Sequence, residues 1–244
     1  MKQILVYLHP RKAFDNLTQT EIRIQIDNFY RLGIKPSDVM LITNFRYSYN
    51  GFAAMVVDDN LYCECSPVST NTTMIPHLFN MNLIHPDELY WVHDLEAFQQ
   101  YPIWPVELEL EYACLGLTTY GWSHKWNMGS YFFTYEAEDI FVDLAGDIYL
   151  NKETDEISLL RATEERFIVP DRYKALNITY NFGMRRVEDN YKIATKPVKV
   201  THFHVTEKLR GVRILDIFVR GKNGLGIPLV SEGFIDILKE HGIK

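Results

Sequence analysis

The sequence predicts an α/β fold, with a mainly parallel sheet flanked by helices in a single domain. Three observations predict it. Four short apolar runs, residues 3–8, 39–43, 53–57 and 89–93, are separated by helical patterns in the order β-α-β-β-α-β. Those runs are almost continuously apolar, as strands covered on both faces are. The chain has 244 residues, 47% of them hydrophobic, enough for a full core without help from metal or disulfide.

The first run ends at His9-Pro10, which closes a strand. Thr18 and Glu21 have capping-box spacing, and Ile22, Ile26 and Phe29 then share one helical face as far as Gly33. A second helix is expected over residues 73–83, with Pro76 tolerable only in its first turn. Residues 101–126 are irregular and aromatic, and 129–133 read as a strand. Ile140, Leu144 and Ile148 recur every four residues within a helix over 136–150, and a further helix is expected over 155–167. Short strands follow at 177–180 and 198–202, and a closing helix starts at Ser231 with Phe234, Ile235 and Leu238 inward. The division is a main domain over residues 1–208 and a tail over 209–244 packed on it.

Lys and Arg number 25 against 32 Asp and Glu, a net charge of −7, so the overall field does not favour a phosphate backbone. Three cysteines, Cys63, Cys65 and Cys114, cannot build a disulfide framework. No apolar stretch approaches the ~20 residues of a membrane span. The chain shows no leader, so the expected location is a reducing cytoplasm.

The most informative segment is the apolar strand that runs into His93-Asp94-Leu95-Glu96. Open α/β sheets bind ligands at the C-terminal ends of their strands. Two carboxylates one residue apart at such an edge can hold a hard divalent cation, which then bridges phosphates. A solvated acidic loop is the bland alternative. His202 and His204 fall on one side of a later strand, with Phe203 opposite, so one imidazole can complete the shell and Lys208 can meet a phosphate. A surface histidine pair is the alternative, and no third His or Cys stands at zinc-site spacing. His93-Asp94 also invites a helical metal-phosphohydrolase reading, against which its strand context argues. Around Asn127, Gly129 and Ser130, an amide, a glycine and a hydroxyl can approach a sugar, and Trp122 and Trp126 can stack on one; a packed aromatic turn fits equally well. Asp155 and Glu156 suit a helix N-terminus as well as a catalytic carboxylate.

Taken in order, residues 5–11, 23–28, 41–45, 91–99, 125–130 and 200–204 resemble the GT-A fold nucleotide-sugar glycosyltransferases, and more narrowly the small glycosyltransferase-like proteins of phages and large algal viruses. The resemblance covers roughly residues 2–208. It implies that Asp94 and Glu96 bind Mn²⁺ or Mg²⁺, although Glu96 stands where most relatives have Asp. It implies a late histidine ligand, His202 or His204, with Lys208 nearby. It places the donor nucleotide against Tyr7, His9, Pro10, Arg11, Thr43 and Asn44, and the donor sugar against a turn at Asn127 and Gly129. Asp155 or Glu156 takes the position that supplies the base in inverting members.

The expected activity is metal-dependent transfer of a sugar from a nucleoside diphosphate, UDP first among them, to a hydroxyl on a glycan or glycoprotein. One alternative acceptor is a hydroxymethylated base in phage DNA, with a basic patch from Arg185, Arg186 and residues 192–199. Another alternative is an inactive sugar-nucleotide-binding module.

Overall fold

A computed structural model describes residues 1–165, 167–183, 185–203, 221 and 225–243. Strand β1 (Lys2–Tyr7) leads into helix α1 (Asn16–Arg31). The cap is Asp15, whose carboxylate accepts the Thr18 N–H at 2.8 Å, so Thr18 receives the cap instead of supplying it. Strand β2 (Val39–Thr43) follows, and the expected strand at 53–57 divides in two. Its first residue closes a hairpin of β3 (Ser48–Tyr49) and β4 (Phe52–Ala53), while β5 (Met55–Val56) pairs in parallel with β2.

Helix α2 (Thr70–Asn80) begins three residues before the expected start, which leaves Pro76 in its interior. Buried Met74, Ile75, Leu78 and Phe79 hold the helix on the sheet despite the missing donor. Strands β6 (Tyr90–His93) and β7 (Ala97–Gln99) flank the acidic segment. Next come β8 (Leu115–Thr119) and β9 (Trp126–Phe133), then α3 (Glu138–Asn151) and α4 (Asp155–Glu164). The late strand β10 is Tyr173–Leu176, not 177–180. Asn177 ends it by accepting the Thr179 N–H at 3.0 Å, which turns the chain into a short 3₁₀ segment. Strand β11 (Phe182–Gly183), helix α5 (Val187–Ile193), strand β12 (Val200–His202) and helix α6 (Glu232–Glu240) complete the described elements.

The main sheet has seven strands in the order β10-β8-β9-β6-β1-β2-β5. β6, β1, β2 and β5 run parallel, as expected, and β9 runs antiparallel between β6 and β8. Along β1, Ile4 and Val6 face a core shared with α2 and α3, while Leu5 faces the core under α1. The α/β expectation therefore holds as helix, sheet, helix. A second sheet, β11-β12-β7, brings His202 opposite Ala97. Helix α6 packs Phe234 and Leu238 against Phe98, Phe203 and Ile24, and His241 Nε2 meets Asp27 Oδ2 at 2.8 Å. Among the described residues no helix is long and apolar enough to cross a membrane.

Proline inside a helix removes one hydrogen bond and crowds the carbonyl four residues back, here that of Thr72. Pro76→Ala is expected to raise unfolding free energy by about 1–3 kcal/mol. Denaturant titration checks this, and an unchanged midpoint contradicts it.

Candidate active site

The C-terminal ends of β1, β2 and β6 share one edge of the sheet, and Asp94 and Glu96 follow the end of β6 there. Asp94 leaves the end of β6, and its own N–H donates to Gly129 O at 3.0 Å. Asp94, Glu96 and His202 each offer a ligand atom, and these atoms lie within 4.8 Å of one another. An octahedral ion with bonds of about 2.1 Å spans about 4 Å, so the group has the size of a divalent site. Two carboxylates suit a hard divalent ion such as Mg²⁺ or Mn²⁺, and the imidazole shifts the preference toward Mn²⁺.

The imidazole is oriented from behind. His202 Nδ1 lies 2.9 Å from Asn181 Oδ1, and Asn181 Nδ2 donates to Asn127 O at 3.1 Å. The second contact fixes which way the Asn181 amide points, so His202 Nδ1 carries the proton and Nε2 the lone pair. Nε2 then faces Asp94 Oδ2 at 3.4 Å, while Asn71 donates to Asp94 Oδ1 at 2.9 Å. These residues fit a bound cation. Burial and the Asp94 charge raise the Glu96 carboxyl above its ordinary value, with His202 opposing the rise.

Asn127 and Gly129 lie within strand β9, not in a turn before it. The strand starts earlier than expected because pairing with β8 extends back to Trp126 through a register shift between Gly116 and Thr118. Trp126 is therefore packed, with its ring N–H donating to Thr163 Oγ1 at 3.0 Å, and takes no part in stacking; Trp122 is 41% exposed. Gly129 is needed for close approach. A Cβ there would sit 2.0 Å from His202 Cε1 and 2.8 Å from Asp94 Oδ2.

Asp155 and Glu156 start α4 and line a cleft of about 240 Å³ together with Asn71, Asp94, Met128 and Gly129. Asp155 is 5% exposed and accepts the Thr72 hydroxyl at 2.6 Å, and its own N–H donates to Ser69 Oγ at 2.8 Å. Burial raises its carboxyl to about 7, reinforced by the charges of Asp94 and Glu156 and held back by the Thr72 bond. Glu156 is raised by burial too, and accepts the Tyr120 hydroxyl at 2.7 Å.

Beyond the end of β1, Tyr7 stacks on His9 with ring centroids 5.8 Å apart, and Phe14 and Phe45 pack around it. Asn44 accepts the His9 N–H at 3.1 Å and donates to His9 O and to Asp59, so it shapes the 9–12 loop. Thr43 is buried and donates to Phe45 O, while Pro10 and Arg11 are exposed. His204 and Lys208 lie outside the described residues. The structure adds Asn71, Thr72, Tyr120 and Asn181 to the site; each touches a predicted residue, and only the polar cluster at 69–73 hinted at two of them.

No family model and no curated protein matches the chain. Among solved structures the chain is similar to a glycosyltransferase involved in glycosylation of the major capsid of PBCV-1, with TM-score 0.55, 11% identity, and 85% of this chain and 96% of that one covered. It is similar to the galactosyltransferase LgtC in complex with donor and acceptor sugar analogues, with TM-score 0.54, 13% identity, and 98% and 100% covered. It is also similar to GlyE of Streptococcus pneumoniae, with TM-score 0.55, 13% identity, and 85% and 56% covered. All three are glycosyltransferases, and the likeness establishes the GT-A fold for this chain.

Gly129→Ala forces His202 or Asp94 to move. Mn²⁺ affinity measured by calorimetry is expected to fall by about ten- to a hundredfold in a protein that still folds. Unchanged affinity would show that the three residues do not act as one centre.

Proposed function

We propose that the chain is a metal-dependent glycosyltransferase that moves a sugar from a nucleoside diphosphate, UDP by first choice, to a hydroxyl on a glycan or glycoprotein. The observation that carries this reading is the Asp94, Glu96 and His202 group at the strand edge of a GT-A fold. Asp94, Glu96 and His202 would hold Mn²⁺ or Mg²⁺, with His204 as the alternative histidine. When bound, the ion supplies Lewis-acid stabilisation of the charge that builds on the departing diphosphate. Tyr7 and His9 offer flat faces for a base and Pro10 and Arg11 a surface for its ribose and phosphates, while Thr43 and Asn44, both buried, hold the loops behind them. Asn127 and Gly129 line the donor-sugar side, and Lys208 is the proposed diphosphate contact.

Asp155 is the proposed general base of an inverting reaction. A carboxyl raised to about 7 is well matched to taking a proton from a hydroxyl near neutral pH. Thr72 donates to its Oδ2, and its Oδ1, which receives the Glu156 N–H at 3.0 Å, keeps a second lone pair for an acceptor hydroxyl. Glu156 is the second candidate, turned toward Tyr120. If configuration is retained, these carboxylates orient groups instead. A DNA acceptor finds less support. Lys192 pairs with Asp189, Lys199 with Glu107, and Lys196 lies over the Tyr191 ring, so much of the expected basic patch is already neutralised or engaged.

Two experiments test the reading. Asp94→Ala is expected to fold, at a cost of about 1 kcal/mol for the lost Asn71 contact, and to lose the Mn²⁺-dependent rise in melting temperature with UDP. A variant that keeps the full rise overturns the metal role. Asp155→Asn is expected to lower kcat by about 10²–10⁴-fold and to abolish the limb of the pH–rate profile near 7.

The same carboxyl sets a stability trend. An acid whose folded pKa lies above its unfolded value of 3.8 binds a proton on folding, so its contribution is present at low pH and is lost as pH rises through about 7. That loss should be absent in Asp155→Asn. A stability–pH profile identical to wild type would remove Asp155 as its source.

A further inference from the structure

The segment 23–28 belongs to the resemblance, yet none of its residues enters the cleft. Its structural role is distinctive. Gln25 is fully buried on the side of α1 that packs on the sheet. Its Nε2 donates to Leu95 O at 2.9 Å and to Ala97 O at 2.8 Å, the two carbonyls that flank Glu96. Three residues on, Asn28 Nδ2 donates to Gln99 O at 2.7 Å, and a further three on, Arg31 Nη2 donates to Gln100 O at 3.0 Å. Residues three apart lie on one helical face. Helix α1 thus meets the chain from 95 to 100 with a row of donors, where an apolar stripe would have sufficed for packing alone.

The hold reaches past Glu96. Ala97 is the register partner of His202, and Glu96 O accepts the Phe203 N–H at 3.0 Å. One amide therefore fixes the backbone on both sides of one proposed ligand and the strand that pairs with another. It does so at a cost, because Gln25 Oε1 has no hydrogen-bond partner among the described residues. A buried acceptor left unpaired is unfavourable, and an apolar side chain of the same shape would avoid it.

We propose that Gln25 is a positioning residue for the metal centre, holding Glu96 and the His202 strand at ligating distance of Asp94. The inference rests on the metal-dependent reading above. Outer contacts that orient ligands typically change metal affinity by about ten- to a hundredfold.

The test compares Gln25→Met, which keeps length and volume but has no donors, with Ile26→Val, which thins the neighbouring core around Leu95 and leaves both carbonyls paired. Mn²⁺ affinity is read by calorimetry and by the electron paramagnetic resonance of free Mn²⁺, alongside the melting temperature without metal. Gln25→Met is expected to bind Mn²⁺ about ten- to a hundredfold more weakly. Ile26→Val is expected to stay within about twofold of wild type even if its melting temperature falls as far. Affinity within twofold of wild type in Gln25→Met overturns the proposal, as does an equal loss in Ile26→Val, which would make the effect one of general stability. If Gln25→Met does not fold, Gln25→Asn, whose amide is one methylene too short to reach both carbonyls, takes its place with the same two outcomes. A wild-type protein that takes up no Mn²⁺ overturns the metal reading and this role together, whereas uptake that is insensitive to residue 25 overturns this role alone.

Discussion

The site depends on the approach of β9 to the end of β6 at a residue without a side chain. Asp94 N donates to Gly129 O, which draws the two strands together at the point where the acidic segment begins. The space that any Cβ at 129 would occupy is filled by the His202 ring and an Asp94 oxygen. Glycine is needed here for volume, since its backbone lies in an ordinary extended strand. Remove that gap and the histidine from the second sheet no longer reaches the carboxylate from the first.

Around this contact, four carboxyls share a small region: Asp94, Glu96, Asp155 and Glu156. Burial raises three of them, and the Asp94 charge raises each of those three further. Such a group carries full negative charge only with positive charge beside it. The proposed cation would supply that for Asp94 and Glu96, and Asp155, raised to about 7 chiefly by burial, remains the proposed base. Asn71, Thr72, Tyr120 and Asn181 each hold one atom of a candidate-site side chain, Asp94, Asp155, Glu156 and His202 in turn.

Much of this was legible in the sequence. The apolar runs at 3–8, 39–43 and 89–93 are strands because near-continuous apolar character requires cover on both faces, and α1 with α2 and α3 provides it. The step from such a strand to Asp94-x-Glu96 located the carboxylate edge, since chain direction in a parallel sheet fixes which end carries the loops. His202 was found as a strand histidine. Most of the errors share one cause. Pro76 within α2, Asn127 and Gly129 inside β9, and the packing of Trp126 follow from partners distant in the chain that outweighed local preference, whereas 177–180 lost its strand to a local Asn177 turn.

The sequence by itself determined the layer order, the edge of the sheet that bears the carboxylates, and the residue types able to hold a hard cation, because periodicity and side-chain chemistry are local properties. Only the tertiary structure decided that Asp94, Glu96 and His202 converge, which of the late residues back the imidazole, and that Gln25 grips the loop between β6 and β7. Those facts depend on antiparallel pairing of β9 with β6 and of β12 with β7, the latter between residues more than a hundred apart, and register across such distances leaves no periodic trace in the chain.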